Sequence, residues 1–482
     1  MKLGKIFPQA TGVKLLPLVF SLSLAGCISV GPDYQRPQLD LPQASQSSQA
    51  SGAQQAQHAA LKTWWKGLQD PVLDQLIEDA LKQNQDLLIA TARMEEAKAT
   101  AGIALANRFP TVDANLTVSR SRTSENSGKL PANANLIGEN YQFGLSAAYE
   151  LDLFGKLSRA DEAAKARLLS QQSNRDAVQI SLIANVAQTY FSLRAFDAQL
   201  AFTETTLKSR QENLALQRKR HAVGAIGDIE LHYAESELAA SEIAFTQAKQ
   251  ALRNVESSLA VLVGRTPKQV MNPEIPRGLT IQQLVQNLPT PAELPSDLLA
   301  RRPDLVAAEQ VLVAANADVG QAKSAYFPSV RLTTSLGRES RALEDLFNPA
   351  SLLWNVASSI VQPVFRAGAV GAVVDGAEAR KRQALGQYVQ TVQNAFRDVH
   401  DSLNNAVSNA AIDASTQSRL TAVRETYRLS NLRYQSGYSA YVDVLNAQRD
   451  LMQAEIAAID SQRAKLSSGV ALYKAVGGGW GQ

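Results

Sequence analysis

Proline is absent from residues 132–266 and again from residues 364–482 of this 482-residue chain. A proline inside a helix costs about 3 kcal/mol, so stretches of that length without one are where very long helices can form. Between Lys156 and His221 glycine is missing as well. At about 1.5 Å per residue, an unbroken helix there would be a rod of roughly 100 Å, which no compact globular domain holds. Only 6% of residues are aromatic against 45% hydrophobic, a balance that suits thin helices packed side by side better than one thick core.

The periodicity within the windows predicts coiled-coil packing. Val186, Leu193, Leu200, Leu207 and Leu214 recur every seven residues, and Leu385, Val389, Val392, Phe396, Val399 and Leu403 alternate steps of four and three. Asp197 and Glu204 fall at alternate seam positions of the first window, so the helix is expected to touch neighbours on two sides and water on a third rather than to form a two-stranded zipper. Each window breaks once near its middle, at Val223-Gly224-Ala225-Ile226-Gly227-Asp228 and at Gln435-Ser436-Gly437-Tyr438-Ser439. Glycine commonly ends helices and the pattern after each break is again helical, so each window reads as a helical hairpin, 156–264 and 366–476.

These landmarks repeat. Adding 213 to Gly224, Ile229, Leu231, Ala234, Leu238, Leu259 and Gly264 gives Gly437, Val442, Val444, Ala447, Leu451, Leu472 and Gly477. Upstream, Asp86-Leu87 precedes Phe109-Pro110 as Asp304-Leu305 precedes Phe327-Pro328. The chain is read as two copies of one long unit, residues 64–278 and 279–482, a period too long for an ordinary solenoid.

Between the Phe-Pro pair and the long helix of each copy lie two alternating segments, expected as strands at about 111–122 and 139–153, and at about 329–340 and 352–363. In the first, Val112, Ala114, Leu116 and Val118 alternate with Asp113, Asn115 and Thr117. Each has about the 9–11 residues of a tilted transmembrane strand. Alternation alone also suits a soluble hairpin pair. Four strands cannot close a membrane barrel, whose minimum is about eight, and open edges in lipid leave backbone groups unpaired at several kcal/mol each. A membrane sheet of this kind must therefore close with other copies, and three copies give twelve strands around a lumen.

The N-terminus has the layout of a signal peptide over residues 1–26: Lys2, Lys5 and Lys14, the apolar run Leu15 to Leu24, then small residues. The run is too short to span about 30 Å of hydrocarbon. Leu24-Ala25-Gly26-Cys27 resembles a lipoprotein cleavage site, with Cys27 as the acylated first mature residue; a buried free thiol is the alternative. Ile28 in place of an acidic residue favours, by that resemblance, sorting to the outer membrane. Cys27 is the chain's one cysteine, which excludes intramolecular disulfides, CxxC redox pairs and cysteine zinc sites. Residues 27–63 are rich in Pro, Gln, Ser and Ala and read as a lipid-anchored strap. Removing three lysines from a formal charge of +3 leaves the mature chain near neutral, which argues against a basic nucleic-acid binder.

The chain resembles TolC/OprM-type outer-membrane efflux channels of the lipoprotein, NodT-like branch, from Cys27 to its end. The resemblance rests on Trp64-Trp65 with Asp70-Pro71, Leu81 to Leu87, Phe109-Pro110, Glu150-Leu151-Asp152-Leu153-Phe154-Gly155, Arg302-Pro303-Asp304-Leu305, Tyr326-Phe327-Pro328, Pro363-Val364-Phe365 with Gly368, Arg433-Tyr434 with Gly437, Leu445-Asn446-Ala447-Gln448-Arg449, and Leu472-Tyr473-Lys474-Ala475-Val476-Gly477-Gly478-Gly479-Trp480. It implies a mixed α/β membrane protein with a two-fold internal repeat. Three copies would form a twelve-stranded transmembrane β-barrel continuous with a long periplasmic α-helical coiled-coil barrel. It implies the partners too: a homotrimer in outer-membrane lipid, a periplasmic adaptor protein, and an inner-membrane transporter, commonly of the resistance-nodulation-division class. The protein would be a passive, gated exit duct with energy supplied by the pump.

By matching positions, the hairpin tips at Val223, Gly224, Ala225, Ser436 and Gly437 would dock the adaptor, glycine serving there as helix terminator in any case. A periplasmic gate is expected near Asp228, Ser439, Tyr441 and Asp443. OprM-like channels carry an aspartate two residues after the tip glycine where this chain has Ser439, so the resemblance does not carry an acidic ring to that level; a solvated helix face is the alternative for these aspartates. No cofactor is expected beyond acyl and diacylglycerol groups on Cys27. His58, His221, His232 and His400 show no HExxH spacing, and neither a phosphate-binding Gly-rich loop nor a GxSxG elbow occurs, so catalysis is not expected. A metal-sensing site at His221 and His232 is the weakest of the possibilities. The rival functions are a structural envelope lipoprotein tether, which has no use for four alternating strands, and the exit duct of a type I secretion system.

Overall fold

A computed structural model describes residues 29–40, 63–127, 131, 135–288 and 302–478. The segment 1–26, Cys27 and residues 41–62 of the strap lie outside the described residues. In chain order the elements are α1 (Pro71–Gln83), α2 (Gln85–Ala106), β1 (Thr111–Arg122), β2 (Ile137–Leu151), α3 (Lys156–Ala222), α4 (Asp228–Leu262), α5 (Pro267–Met271) and α6 (Ile281–Asn287). Then follow α7 (Pro303–Ser324), β3 (Ser329–Ser340), β4 (Leu352–Val361), α8 (Ala369–Gln435) and α9 (Tyr441–Ala475). The repeat is exact in length where it matters: α3 and α8 each have 67 residues, and α4 and α9 each have 35. No helix among the described residues is long and apolar enough to cross a membrane.

All four long helices end in the same way. The glycine at each end has positive φ, 71° at Gly224, 73° at Gly264, and 79° at Gly437 and Gly477. Its N–H bonds back three residues while the next N–H bonds back five, as in Gly224 to His221 and Ala225 to Arg220. This arrangement satisfies carbonyls that the helix end would otherwise leave open, and its left-handed backbone favours a residue without Cβ. Gly264 is constrained twice over, because a Cβ there would meet the Gln83 carbonyl oxygen at 2.4 Å.

The chain divides into two compact units. The first, residues 1–39, 95–169 and 309–387, holds a four-stranded antiparallel sheet in the order β1-β2-β3-β4. The register puts Val112 opposite Ala147, Leu116 opposite Phe143, Leu145 opposite Leu336 and Leu336 opposite Trp354. One face is thus apolar, yet Leu116 is 70% exposed and Trp354 69% exposed. The other face carries Asp113, Ser146, Ser335 and Asn355 in one row and Thr117, Gln142 and Glu339 in another. β1 and β4 are edge strands, each paired on one side. Residues 29–39 lie on this unit: Val30 N–H bonds the Phe154 carbonyl at 3.1 Å, Asn316 donates to the Pro32 carbonyl, and Arg36 and Tyr34 both bond Glu309. Gly31 approaches Gly320 so closely that a Cβ would lie 2.4 Å from its Cα.

The second unit, residues 40–94, 170–308 and 388–482, has its main core where α1 and α6 meet the long helices. Trp64 stacks on Tyr473 at 5.1 Å amid Leu68, Leu73, Ile77, Ile183, Phe191, Leu259, Leu284 and Val470. Asp70 organises this core. It caps α1 through the N–H groups of Val72 and Leu73, accepts the Tyr190 hydroxyl at 2.7 Å and accepts Leu279 N–H at 3.0 Å. Burial, with the Asp70 carboxylate beside it, pushes the Tyr190 phenol well above its ordinary range.

The expected seams are buried in part. Val186, Leu193, Leu214, Val392 and Val399 are buried, while Leu385 and Leu403 remain exposed in the single chain. Asp197, at an alternate seam position, binds Arg194 at 2.6 Å and Arg277 at 3.1 Å.

Candidate functional site

The two hairpin tips and the layer of side chains behind them carry the candidate site, all within the second unit. At the tips the helices stop at Gly224 and Gly437, and α4 and α9 start after Gly227 and Ala440, neither of which offers a capping side chain. Apolar groups are left outside: Val223 is 79% exposed and Tyr438 80% exposed, and Ala225, Ser436 and both glycines are exposed too. These are the residues expected at the docking ends.

The residues expected at the gate fall into different surroundings. Asp228 opens α4 and lies with Oδ1 2.8 Å from His221 Nε2, across the turn. Tyr441 opens α9 and turns into the protein, buried with Val444 and Leu445 against Tyr434 and Tyr427. It accepts a hydrogen bond from Asn213 at 3.0 Å, and burial raises its phenol above the ordinary value, with Arg210 and Asn213 pulling partly the other way. Asp443 is exposed in the first turn of α9. Ser439 is half-buried, and its hydroxyl has no partner among the described residues.

Behind the tips stands a polar cluster that sequence reading missed. Glu237 of α4 accepts a hydrogen bond from Arg449 Nε of α9 at 2.7 Å, with Arg449 Nη2 2.5 Å from the same oxygen, and pairs with Arg210 of α3 at 3.2 Å. Arg210 also reaches Gln448, which donates to Tyr427 at 3.2 Å. The side chains of Arg210 and Glu237 are only 6% and 9% exposed, so this pair within the first hairpin lies out of water, while Glu237 reaches the second hairpin through the half-exposed Arg449. Nearer the tips, Arg220 donates to the Tyr434 hydroxyl at 2.9 Å with its guanidinium 5.9 Å from the ring centre. Within the second hairpin, buried Asp413 accepts from Ser461 at 2.9 Å and from Lys465 at 3.2 Å. A signal for the cluster was present in the sequence: neighbours in an antiparallel hairpin lie at equal distances from the turn, and Arg210 and Glu237 flank Gly224 almost symmetrically.

On the first hairpin, His232 Nδ1 lies 3.2 Å from Glu235, which Arg218 also approaches at 3.4 Å. The two together hold the Glu235 carboxyl below its ordinary value. Among the described residues no group of three or more His, Cys, Asp or Glu is placed to hold a metal ion. The arrangement offers helix-end surfaces for a partner and ion-paired contacts between hairpins.

Comparison with known proteins matches the family model described as "Outer membrane efflux protein" to residues 76–265 and again to 294–478, one match per repeat. The chain is 34% identical over 478 residues to the cation efflux system protein CusC of Escherichia coli O157:H7, covering 97% of this chain and 99% of that one. It is 36% identical over 480 residues to the solvent efflux pump outer membrane protein SrpC of Pseudomonas putida, covering 97% and 98%. Among solved structures, the Campylobacter jejuni CmeC outer membrane channel superposes with a TM-score of 0.86 at 26% identity, over 94% of this chain and 95% of that one.

Proposed function

The chain belongs to the outer membrane efflux protein family, and from that premise we infer that it is the outer-membrane channel of an efflux pump. It is the exit duct, with its helices forming a periplasmic tunnel, through which small molecules delivered by an inner-membrane transporter and a periplasmic adaptor leave the cell. One relative is a cation efflux system protein and another a solvent efflux pump outer membrane protein, so the cargo of this chain is set by the transporter it meets rather than by a binding pocket of its own.

The observation that carries this reading is the sheet. It is apolar on one face, polar on the other, and ends on both sides in edge strands. In lipid each unpaired backbone group costs several kcal/mol, so the sheet has to be closed by others of its kind. We read the assembly as a homotrimer with twelve strands, the apolar face to lipid and the polar face to the lumen. Finer assignments rest on the resemblance of matching positions. The partner transporter is of the resistance-nodulation-division class. Cys27 carries the acyl and diacylglycerol groups. The tips at Val223, Gly224, Ala225, Ser436 and Gly437 dock the adaptor, and Asp228, Ser439, Tyr441 and Asp443 surround the gate. The chain acts as a duct and not as an enzyme.

The test is the native mass of the full-length protein extracted from membranes in mild detergent. A three-chain particle whose edge strands β1 and β4 cross-link between chains, and not within one, is expected. A folded single chain with both edges open would overturn the reading.

A further inference from the structure

Where the sheet meets the helices, each repeat carries two phenylalanines, one before its first strand and one after its second. In the first repeat these are Phe109, in Phe109-Pro110 ahead of β1, and Phe154, in Leu153-Phe154 after β2. In the second they are Phe327, in Phe327-Pro328 ahead of β3, and Phe365, in Val364-Phe365 after β4. Four rings in matched places would make two pairs, and the single chain makes one: Phe154 stacks on Phe327, with ring centres 4.8 Å apart and planes at 21°.

The topology explains the difference. β2 and β3 are neighbours in the sheet, and their ladder runs from Tyr141 opposite Ser340 to Leu151 opposite Val330. Continued past its last pair, the same register sets Phe154 opposite Phe327, so the ring pair closes that ladder at its helix side. Phe109 and Phe365 hold the corresponding places on the edge strands. Three strand spacings, about 14 Å along the sheet, separate β1 from β4, so these two rings do not meet within one chain. Phe109 is 61% exposed and Phe365 87%, with Val364 beside it at 93%. A second copy with its β1 laid beside β4 rebuilds the β2–β3 junction: a strand ending in an aliphatic residue and phenylalanine, next to a strand preceded by Phe-Pro.

We propose that Phe365 of one copy stacks on Phe109 of the next, and that this ring pair sets the register in which β4 of one copy pairs with β1 of the next. The inference rests on the reading of the protein as a trimer closed through its edge strands, and adds to it which residues meet. With Phe365 opposite Phe109, Val361 falls opposite Asp113, Ile360 opposite Ala114, Val356 opposite Val118 and Trp354 opposite Arg120. A slip of one residue would set Asp113 or Asn115 against Ile360 on the apolar face, which the pleat forbids. A slip of two keeps the faces but sets Phe365 against Thr111 or Asn107 and leaves the Phe109 ring without its partner. Closed on three copies, three stacks between chains alternate with three within chains around the helix-side rim of the barrel.

The experiment is oxidative cross-linking of the full-length protein in its membrane. Phe109→Cys with Phe365→Cys in one chain is expected to give covalent dimers and trimers, and each single variant, which leaves Cys27 as the other cysteine, to stay monomeric on a denaturing gel. Phe154→Cys with Phe327→Cys is the internal control and should form its bond without a gain in mass. Thr111→Cys with Phe365→Cys reports the slipped register and should cross-link only weakly, because diagonal neighbours lie about 7–8 Å apart. In detergent, Phe109→Ala and Phe365→Ala should each speed dissociation of the trimer about two- to ten-fold, the size of an aromatic pair, and the double variant should fall short of the product of the two. A trimer that cross-links through 111 and 365 in preference to 109 and 365, or in which the two alanine effects multiply in full, overturns the ring pair and leaves the trimer standing. A folded single chain overturns the trimer, and the ring pair with it.

Discussion

Glu237→Ala should loosen the hold of the second hairpin on the first. The carboxylate accepts a hydrogen bond from Arg449 Nε at 2.7 Å and is ion-paired with Arg449 Nη2 at 2.5 Å and with Arg210 at 3.2 Å. Arg210 is the costly partner, because its side chain is 6% exposed and its charge would be left in a site that excludes water. Removing one member of a buried pair costs about 3–5 kcal/mol, whereas replacing both by apolar groups of similar volume is often neutral or stabilising. Arg449, with 52% of its side chain exposed, can be solvated once released, so Arg449→Ala should cost only about 1 kcal/mol. The assay is thermal unfolding of the detergent-solubilised protein, together with hydrogen exchange across residues 230–241 and 444–452. The expected order of stability is wild type, then Arg449→Ala, then Glu237→Ala, with Arg210→Met, Glu237→Leu restored close to wild type. If Glu237→Ala melts like wild type, or the double apolar variant is the least stable of the set, burial of this ion cluster is not what holds the hairpins.

Gly437→Ala meets only the left-handed backbone, since nothing lies within 4 Å of a new Cβ, and should cost about 1 kcal/mol in unfolding; Gly264→Ala, which also collides with the Gln83 carbonyl, should cost about 2–4 kcal/mol and be the harder to express. Asp70→Ala removes a helix cap and leaves the Tyr190 hydroxyl and Leu279 N–H without their acceptor, for about 2–4 kcal/mol by melting, against about 1 kcal/mol for Tyr190→Phe. Because the Tyr441 phenol is held above its ordinary value, the folded state keeps its proton where the unfolded chain has lost it. Stability from this group is full below about pH 10 and declines as pH rises further; Tyr441→Phe should flatten that alkaline decline in a pH-melting series. Cys27→Ser should abolish incorporation of labelled palmitate, and incorporation that persists would place acylation elsewhere.

The helices and their ends were the most legible part of the chain, because proline and glycine act locally: the breaks at Gly224, Gly264, Gly437 and Gly477 are where a positive φ is needed. The strands were legible through alternation, although β2 occupies Ile137–Leu151 where 139–153 was expected, a shift at the end where Asp152 leaves the ladder to bind Leu157 and Ser158 N–H groups. The side-chain partners were much less legible. Asp197 at an alternate seam position pointed to a helix with more than one kind of neighbour, but not to Arg277, eighty positions away, as its partner. The packing of Tyr441 against Tyr434 and Tyr427, with Val444 and Leu445 beside it, is not written in the local pattern either. Such pairings depend on how hairpins lie against each other, which local pattern does not encode, although symmetry about each turn narrows the choice.

The central claim is that copies of this chain close into a conducting channel with its gate at the hairpin tips. Single-channel recording of the purified full-length protein in a planar lipid bilayer tests it most directly. Small, mostly closed currents are predicted for wild type, with larger or longer openings in Asp228→Ala or Asp443→Ala. A folded, trimeric preparation that never conducts, with or without those substitutions, would contradict the account and leave an envelope tether in its place.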